Sequence, residues 1–158
     1  MSVKYEVPWW LNNYPVPSEK KKPVLIRQEN EYYHKYGIGH GGVMLDEIFI
    51  STDKISLTAY TIPPGQCFSP PDVHPVNEPY FIMKGTATLY NPETGVAVDA
   101  KEGSAVFIPE GVWHQVFNFT EEDVYICAMV EGVIWSEESL ESVKDQNVEL
   151  RIIGYKNK

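Results

Sequence analysis

From Val43 onward the chain alternates between short runs rich in β-branched and aromatic residues and clusters of Gly, Pro, Asn, Asp and Glu. Eight such runs stand out, at 44–50, 55–62, 79–84, 86–90, 96–100, 105–108, 115–119 and 124–130. Runs this short and this regularly spaced predict the strands of an all-β sandwich or barrel, and the brief connections predict mostly antiparallel hairpins. Asn91-Pro92-Glu93-Thr94-Gly95 has turn chemistry, as do Glu102-Gly103 and Pro109-Glu110-Gly111. Residues 149–155 are apolar and β-branched enough for a final strand or a packed tail. Between these regions, Ser136-Glu137-Glu138-Ser139 offers an N-cap with acidic residues in the first turn, and Leu140 and Val143 give a weak apolar face, so a short helix is expected there.

Period-two alternation assigns faces. If Glu78 points into the barrel, so do Tyr80 and Ile82, while Phe81 and Met83 point out. If His114, Val116 and Asn118 point in, then Gln115, Phe117 and Phe119 point out. Large apolar side chains on an outer face need cover, either from the aromatic N-terminal arm containing Trp9 and Trp10 or from a second subunit. Residues 1–42 form that arm and a glycine-dense loop, Gly37 to Gly42, expected to pack on the barrel or on a partner subunit. Residues 43–158 form a single barrel with a C-terminal tail.

Composition narrows the partners. The chain has 158 residues, 43% hydrophobic and 22% charged, enough for one domain with a sizeable core. A formal net charge of -9 disfavours nucleic acid and anionic membrane surfaces, which recruit basic patches. The basic run Lys20-Lys21-Lys22 lies between Pro15 and Pro23 and reads as a solvated connector. Cys67 and Cys127 are isolated and suggest neither a disulfide framework nor a cysteine metal site. The longest strongly apolar stretch, 124–130, is too short to span a bilayer, and the polar start lacks a signal-peptide core, so a cytoplasmic protein is expected.

The segment Gly103-Ser-Ala-Val-Phe-Ile-Pro109-Glu-Gly111-Val-Trp-His114-Gln-Val-Phe-Asn118 places five residue types at the spacing G-x5-P-x-G-x2-H-x3-N. Upstream runs Asp72-Val-His74-Pro-Val-Asn-Glu78-Pro-Tyr-Phe-Ile-Met-Lys-Gly85. Together these resemble the paired motifs of the cupin superfamily, with Asp72 where the first histidine belongs and Gly65 one residue farther upstream than usual. The resemblance implies a double-stranded β-helix, the jelly-roll barrel of that superfamily, and a homodimer. It also implies a divalent metal on His74, Glu78 and His114.

Imidazole nitrogen and carboxylate oxygen suit Fe(II), Mn(II), Ni(II), Co(II) or Zn(II). Two His with one carboxylate leave positions open and favour Fe(II). Asp72 has three alternatives: it orients a ligand from outside the coordination shell, it is a fourth ligand, or the barrel holds no metal. His34 and His40 carry no expected role. Tyr80 and Trp113 are inward candidates whose commoner role is core packing, although the Tyr80 hydroxyl could orient substrate or move a proton. Glu47, on the first barrel strand, could serve as a general base, but an exposed strand carboxylate is the commoner case. The expected function is a metal-dependent enzyme acting on a small oxygenated organic substrate, with dioxygenase chemistry slightly preferred. Isomerase, lyase or decarboxylase activity is the first alternative, and a non-catalytic small-ligand or sugar-binding barrel is the second.

Overall fold

The computed structural model describes residues 13–15, 23–26, 32–38, 44–68, 71–132 and 149–155, with side chains described in 13–15, 23–26, 47–68 and 71–132. The expected helix after Ser136 lies outside the described residues, as do Trp9, Trp10 and His40.

Among the described residues ten strands are formed: β1 (Tyr32–Ile38), β2 (Met44–Ser51), β3 (Ile55–Ile62), β4 (Glu78–Lys84), β5 (Thr86–Tyr90), β6 (Ala97–Lys101), β7 (Ala105–Ile108), β8 (Gln115–Phe117), β9 (Val124–Glu131) and β10 (Glu149–Tyr155). They make a seven-stranded sheet in the order β10-β1-β2-β3-β9-β4-β7 and a three-stranded sheet in the order β6-β5-β8. Every pairing among these described strands is antiparallel. This is the all-β double-stranded β-helix. Among the described residues no helix is long and apolar enough to cross a membrane.

Strand β1 falls inside the segment read from sequence as an arm, yet it is hydrogen-bonded between β2 and β10. The expected final strand forms as β10.

The core is what the alternation specifies. Along β9, Val124, Ile126, Ala128 and Val130 are buried while intervening residues are not. Tyr60 and Ile62 of β3 pair with Ile126 and Val124, and Ile82 of β4 pairs with Ile126, so these side chains share one face. Ile48, Ile62, Ile82 and Ile126 are each at most 1% exposed. Burying each contributes roughly 1.5–3 kcal/mol. On β4, Phe81 and Met83 are 45% and 49% exposed, as their parity requires.

Two devices shape the turns, one within the three-stranded sheet and one between the sheets. The Asn91 side-chain oxygen accepts the Glu93 and Thr94 N–H groups at 2.8 and 3.2 Å, closing the β5–β6 turn. Gly85 joins β4 to β5 at φ +80°, and a Cβ there would stand 3.0 Å from the Asp123 carbonyl oxygen. Only glycine fits without strain.

Candidate metal centre

The segment before β4 runs antiparallel to the segment entering β8. Backbone bonds join Phe68 N–H to Val116 O (2.8 Å), Asp72 N–H to His114 O (2.8 Å), His114 N–H to Asp72 O (2.9 Å) and Gly111 N–H to His74 O (2.8 Å). Pro71 has no N–H to donate, and Asp72 and His114 meet as an isolated bridge. Bridge partners face the same way, so the Asp72 and His114 side chains lie on one side of the paired segments. Glu78, the first residue of β4, is 5% exposed and His114 is 5% exposed.

These elements bring His74, Glu78 and His114 together, with one donor atom of each within 4.8 Å of the others. Glu78 Oε2 lies 2.9 Å from His114 Nε2 and 3.5 Å from His74 Nε2. Asp72 Oδ2 approaches His74 Nε2 at 3.3 Å, while Asp72 Oδ1 accepts the Val73 N–H at 2.8 Å. The Asp72 side chain keeps 37% of its surface exposed, against 14% for His74. It is the outermost of the four.

The His114 tautomer follows from its neighbour. Nδ1 sits 3.0 Å from the Val112 carbonyl oxygen, which can only accept, so Nδ1 carries a proton and Nε2 of the neutral ring presents a lone pair. Glu78 Oε2 is sealed from solvent and has no hydrogen-bond donor of suitable geometry. A buried carboxylate oxygen facing an imidazole lone pair needs a proton or a cation between them. The residues present therefore fit a divalent metal. Without one, burial lowers the His114 proton affinity, but the Glu78 carboxylate 2.9 Å from Nε2 outweighs it and holds the pKa above the ordinary histidine value. Burial raises the Asp72 carboxyl, with the two histidines pulling it back down.

Tyr80 projects into the same interior at 4% exposure. Its ring meets His114 edge-on at 6.0 Å and Tyr60 edge-on at 6.0 Å, and Tyr60 in turn lies 6.1 Å from Phe68. Burial first, then the Glu78 charge, push the Tyr80 hydroxyl well above its usual range. It stays protonated at neutral pH, hydrogen-bonded to Tyr60, and does not act as a base.

The structure does not bring Glu47 to this centre. Ile48 pairs with Thr58 on the core face, so Glu47, paired with Ala59, projects from the opposite face of β2. It is 4% exposed, unlike the exposed carboxylate expected, and accepts the Tyr125 hydroxyl at 2.9 Å. Trp113 is half-buried, and it is Val112 that packs against the core. Tyr60 was missed from sequence. The same parity along β3 that places Ile62 inward would have found it.

Residues 59–130 match the family model for the cupin domain. Structural likeness extends to a predicted oxalate decarboxylase from Thermotoga maritima, 20% identical, covering 69% of this chain and 99% of that one with a TM-score of 0.60. It also includes the polyketide cyclase RemF from Streptomyces resistomycificus, 18% identical over 78% of this chain and 94% of that one, TM-score 0.57. A cupin domain protein from Bordetella pertussis is 23% identical, covering 60% of this chain and 98% of that one, TM-score 0.51. Comparison with curated proteins finds no match to this sequence. At these identities the likenesses establish the fold. Residues 59–130 are thus similar to the cupin domain, and the fold is shared with these cupin structures.

Proposed function

We propose that this protein is a metal-dependent cupin enzyme acting on a small oxygenated organic molecule, with His74, Glu78 and His114 as the metal ligands. The convergence of their three donor atoms within 4.8 Å carries the proposal. A divalent ion there supplies a Lewis acid with open coordination positions. Two His and one carboxylate favour Fe(II) and dioxygenase chemistry, whereas Mn, Ni, Co or Zn suit the isomerase, lyase or decarboxylase alternatives. The chain's own contributions are specific. Val112 O fixes the His114 tautomer. Tyr80, whose ring meets His114, contributes to the wall a protonated hydroxyl hydrogen-bonded to Tyr60. The buried rings of Tyr60 and Tyr80 keep water from the inner wall. A non-catalytic binding role is the reading from another class, and there any metal would be structural.

The outward Phe81, Met83, Phe107 and Met129, each at least 40% exposed on β4, β7 and β9, support a homodimer through this sheet face.

Metal analysis of purified protein, followed by oxygen uptake with Fe(II) across catechols, hydroxyketones and diketones, tests the function. Near-stoichiometric metal is expected. His114→Ala should abolish it while Asp72→Ala leaves it nearly intact, because three ligands suffice. Failure to retain any transition metal after reconstitution sinks the enzyme reading, and an equal loss in Asp72→Ala makes that carboxylate a true ligand.

A further inference from the structure

We infer that Asp72 makes this centre selective for uncharged oxygen ligands, such as hydroxyketones, over small dicarboxylates. The inference rests on the metal-binding reading above and adds to it the charge class of the substrate.

Two carboxylates stand at the site, Glu78 against His114 Nε2 at 2.9 Å and Asp72 against His74 Nε2 at 3.3 Å. Together they balance a divalent cation, so that the loaded centre carries no surplus positive charge to attract an anion. A centre with a single carboxylate would keep one unit of it.

Nothing described nearby restores that unit. Among the described side chains the Lys and Arg cations are Lys54, Lys84 and Lys101, and all three are exposed. Lys84 closes β4 at the end away from Glu78, six residues along a strand and so about 20 Å distant. Lys101 ends β6, beside that same end, where Glu102 N–H bonds Gly85 O. Lys54 lies nearer, across β9. Glu131 stands between, and its carboxylate accepts the Asn77 side-chain amide at 3.3 Å. Asn77 Oδ1 also accepts the Glu110 N–H at 3.2 Å, so the residue preceding Glu78 bonds one acidic side chain and the backbone of a second acidic residue. A dicarboxylate entering here meets negative charge at the rim and a neutral centre below it. An uncharged ligand with paired oxygens meets neither obstacle.

The experiment uses the full chain loaded with Mn(II), with metal content measured before titration. Oxalate and hydroxyacetone are the probes, followed by water-proton relaxation and by calorimetry in the wild type and in Asp72→Asn. Asn at this position keeps the backbone bridge and can still accept the Val73 N–H. Removing one charge a few ångströms from the ligand should strengthen oxalate binding by at least about tenfold and leave hydroxyacetone within about twofold. A second reading comes from the wild type alone. Raising salt from about 0.05 to 0.3 M should strengthen oxalate binding by screening the acidic rim, whereas a site attracting anions would lose affinity. Oxalate binding that is unchanged or weaker in Asp72→Asn, or that falls with salt in the wild type, overturns the inference while leaving the metal site standing. A chain that takes up no metal overturns both.

Discussion

Asn118→Ala should destabilise the protein far more than the loss of one surface amide. Asn118 is 0% exposed, and its side chain makes four hydrogen bonds. Nδ2 donates to Ile62 O at 2.8 Å and Glu122 O at 2.7 Å, while Oδ1 accepts from Thr120 N–H at 2.9 Å and from the Thr120 hydroxyl at 2.7 Å. The Glu122 carbonyl and the Thr120 hydroxyl lie near solvent and can rebond to water, so their loss costs little. The Ile62 carbonyl sits in the fully buried end of β3 and would be left unsatisfied, at about 1–3 kcal/mol, and the Thr120 N–H bond adds about 1 kcal/mol. The sum is about 3 kcal/mol, equivalent to a fall of roughly 6–12 °C in Tm for a domain of this size. Urea unfolding followed by tryptophan fluorescence measures it. Because Asn118 ties the strand leaving His114 to the end of β3, the folded fraction of the variant should also bind metal more weakly. A loss under about 1 kcal/mol would refute the reasoning, since it would mean that the Ile62 carbonyl finds water or another donor.

Gly85→Ala combines positive φ with a Cβ 3.0 Å from Asp123 O and should cost about 2–3 kcal/mol, whereas Gly95→Ala, at φ +71° with open space around its Cβ, should cost only about 1 kcal/mol. Paired denaturant midpoints compare them, and equal costs would remove the close approach as the cause. Metal-free protein should be more stable in mild acid than in base. The His114 pKa is raised on folding, so the stability from its pairing with Glu78 is fully present below the unfolded value of 6.5 and is lost as pH rises through the folded one. Asp72, also raised, acts in the same direction. Tm measured from about pH 6 to pH 8 in chelator should fall, and Glu78→Gln should flatten the slope; an unchanged slope in that variant would point to other groups.

Much of the barrel was legible because its strands obey a period of two. The burial of Tyr80, Ile82, Val116 and Asn118 and the exposure of Phe81, Met83 and Phe119 all follow from it. His74, Glu78 and His114 were legible as a group through motif spacing, and the structure supplies the distances that spacing lacks. Glu47 was misjudged as exposed because period two says which face a side chain takes, but not whether that face is covered. The opposite face of β2 and β3 is buried at Glu47 and Ala59, which a sheet with one wet face would not show. Strand β1 was missed for a related reason. Its residues carry no clear alternation of their own, and one of its two partners, β10, lies more than a hundred positions later. Asp72 was the least decidable from sequence, since the proline pair before it interrupts any regular strand.

The backbone bridge between Asp72 and His114 closes a span of 42 residues with two hydrogen bonds, and neither involves the Asp72 side chain. Placement and chemistry are thereby uncoupled at position 72. The main chain holds the site to its neighbour whichever residue occupies it, so the side chain is a variable that can be exchanged without refolding the barrel. Asp, Asn, His and Ser at this one position would form a graded series of charge and donor strength around an otherwise constant centre, and the protein becomes a scaffold on which the reactivity of one metal can be read against a single substituent.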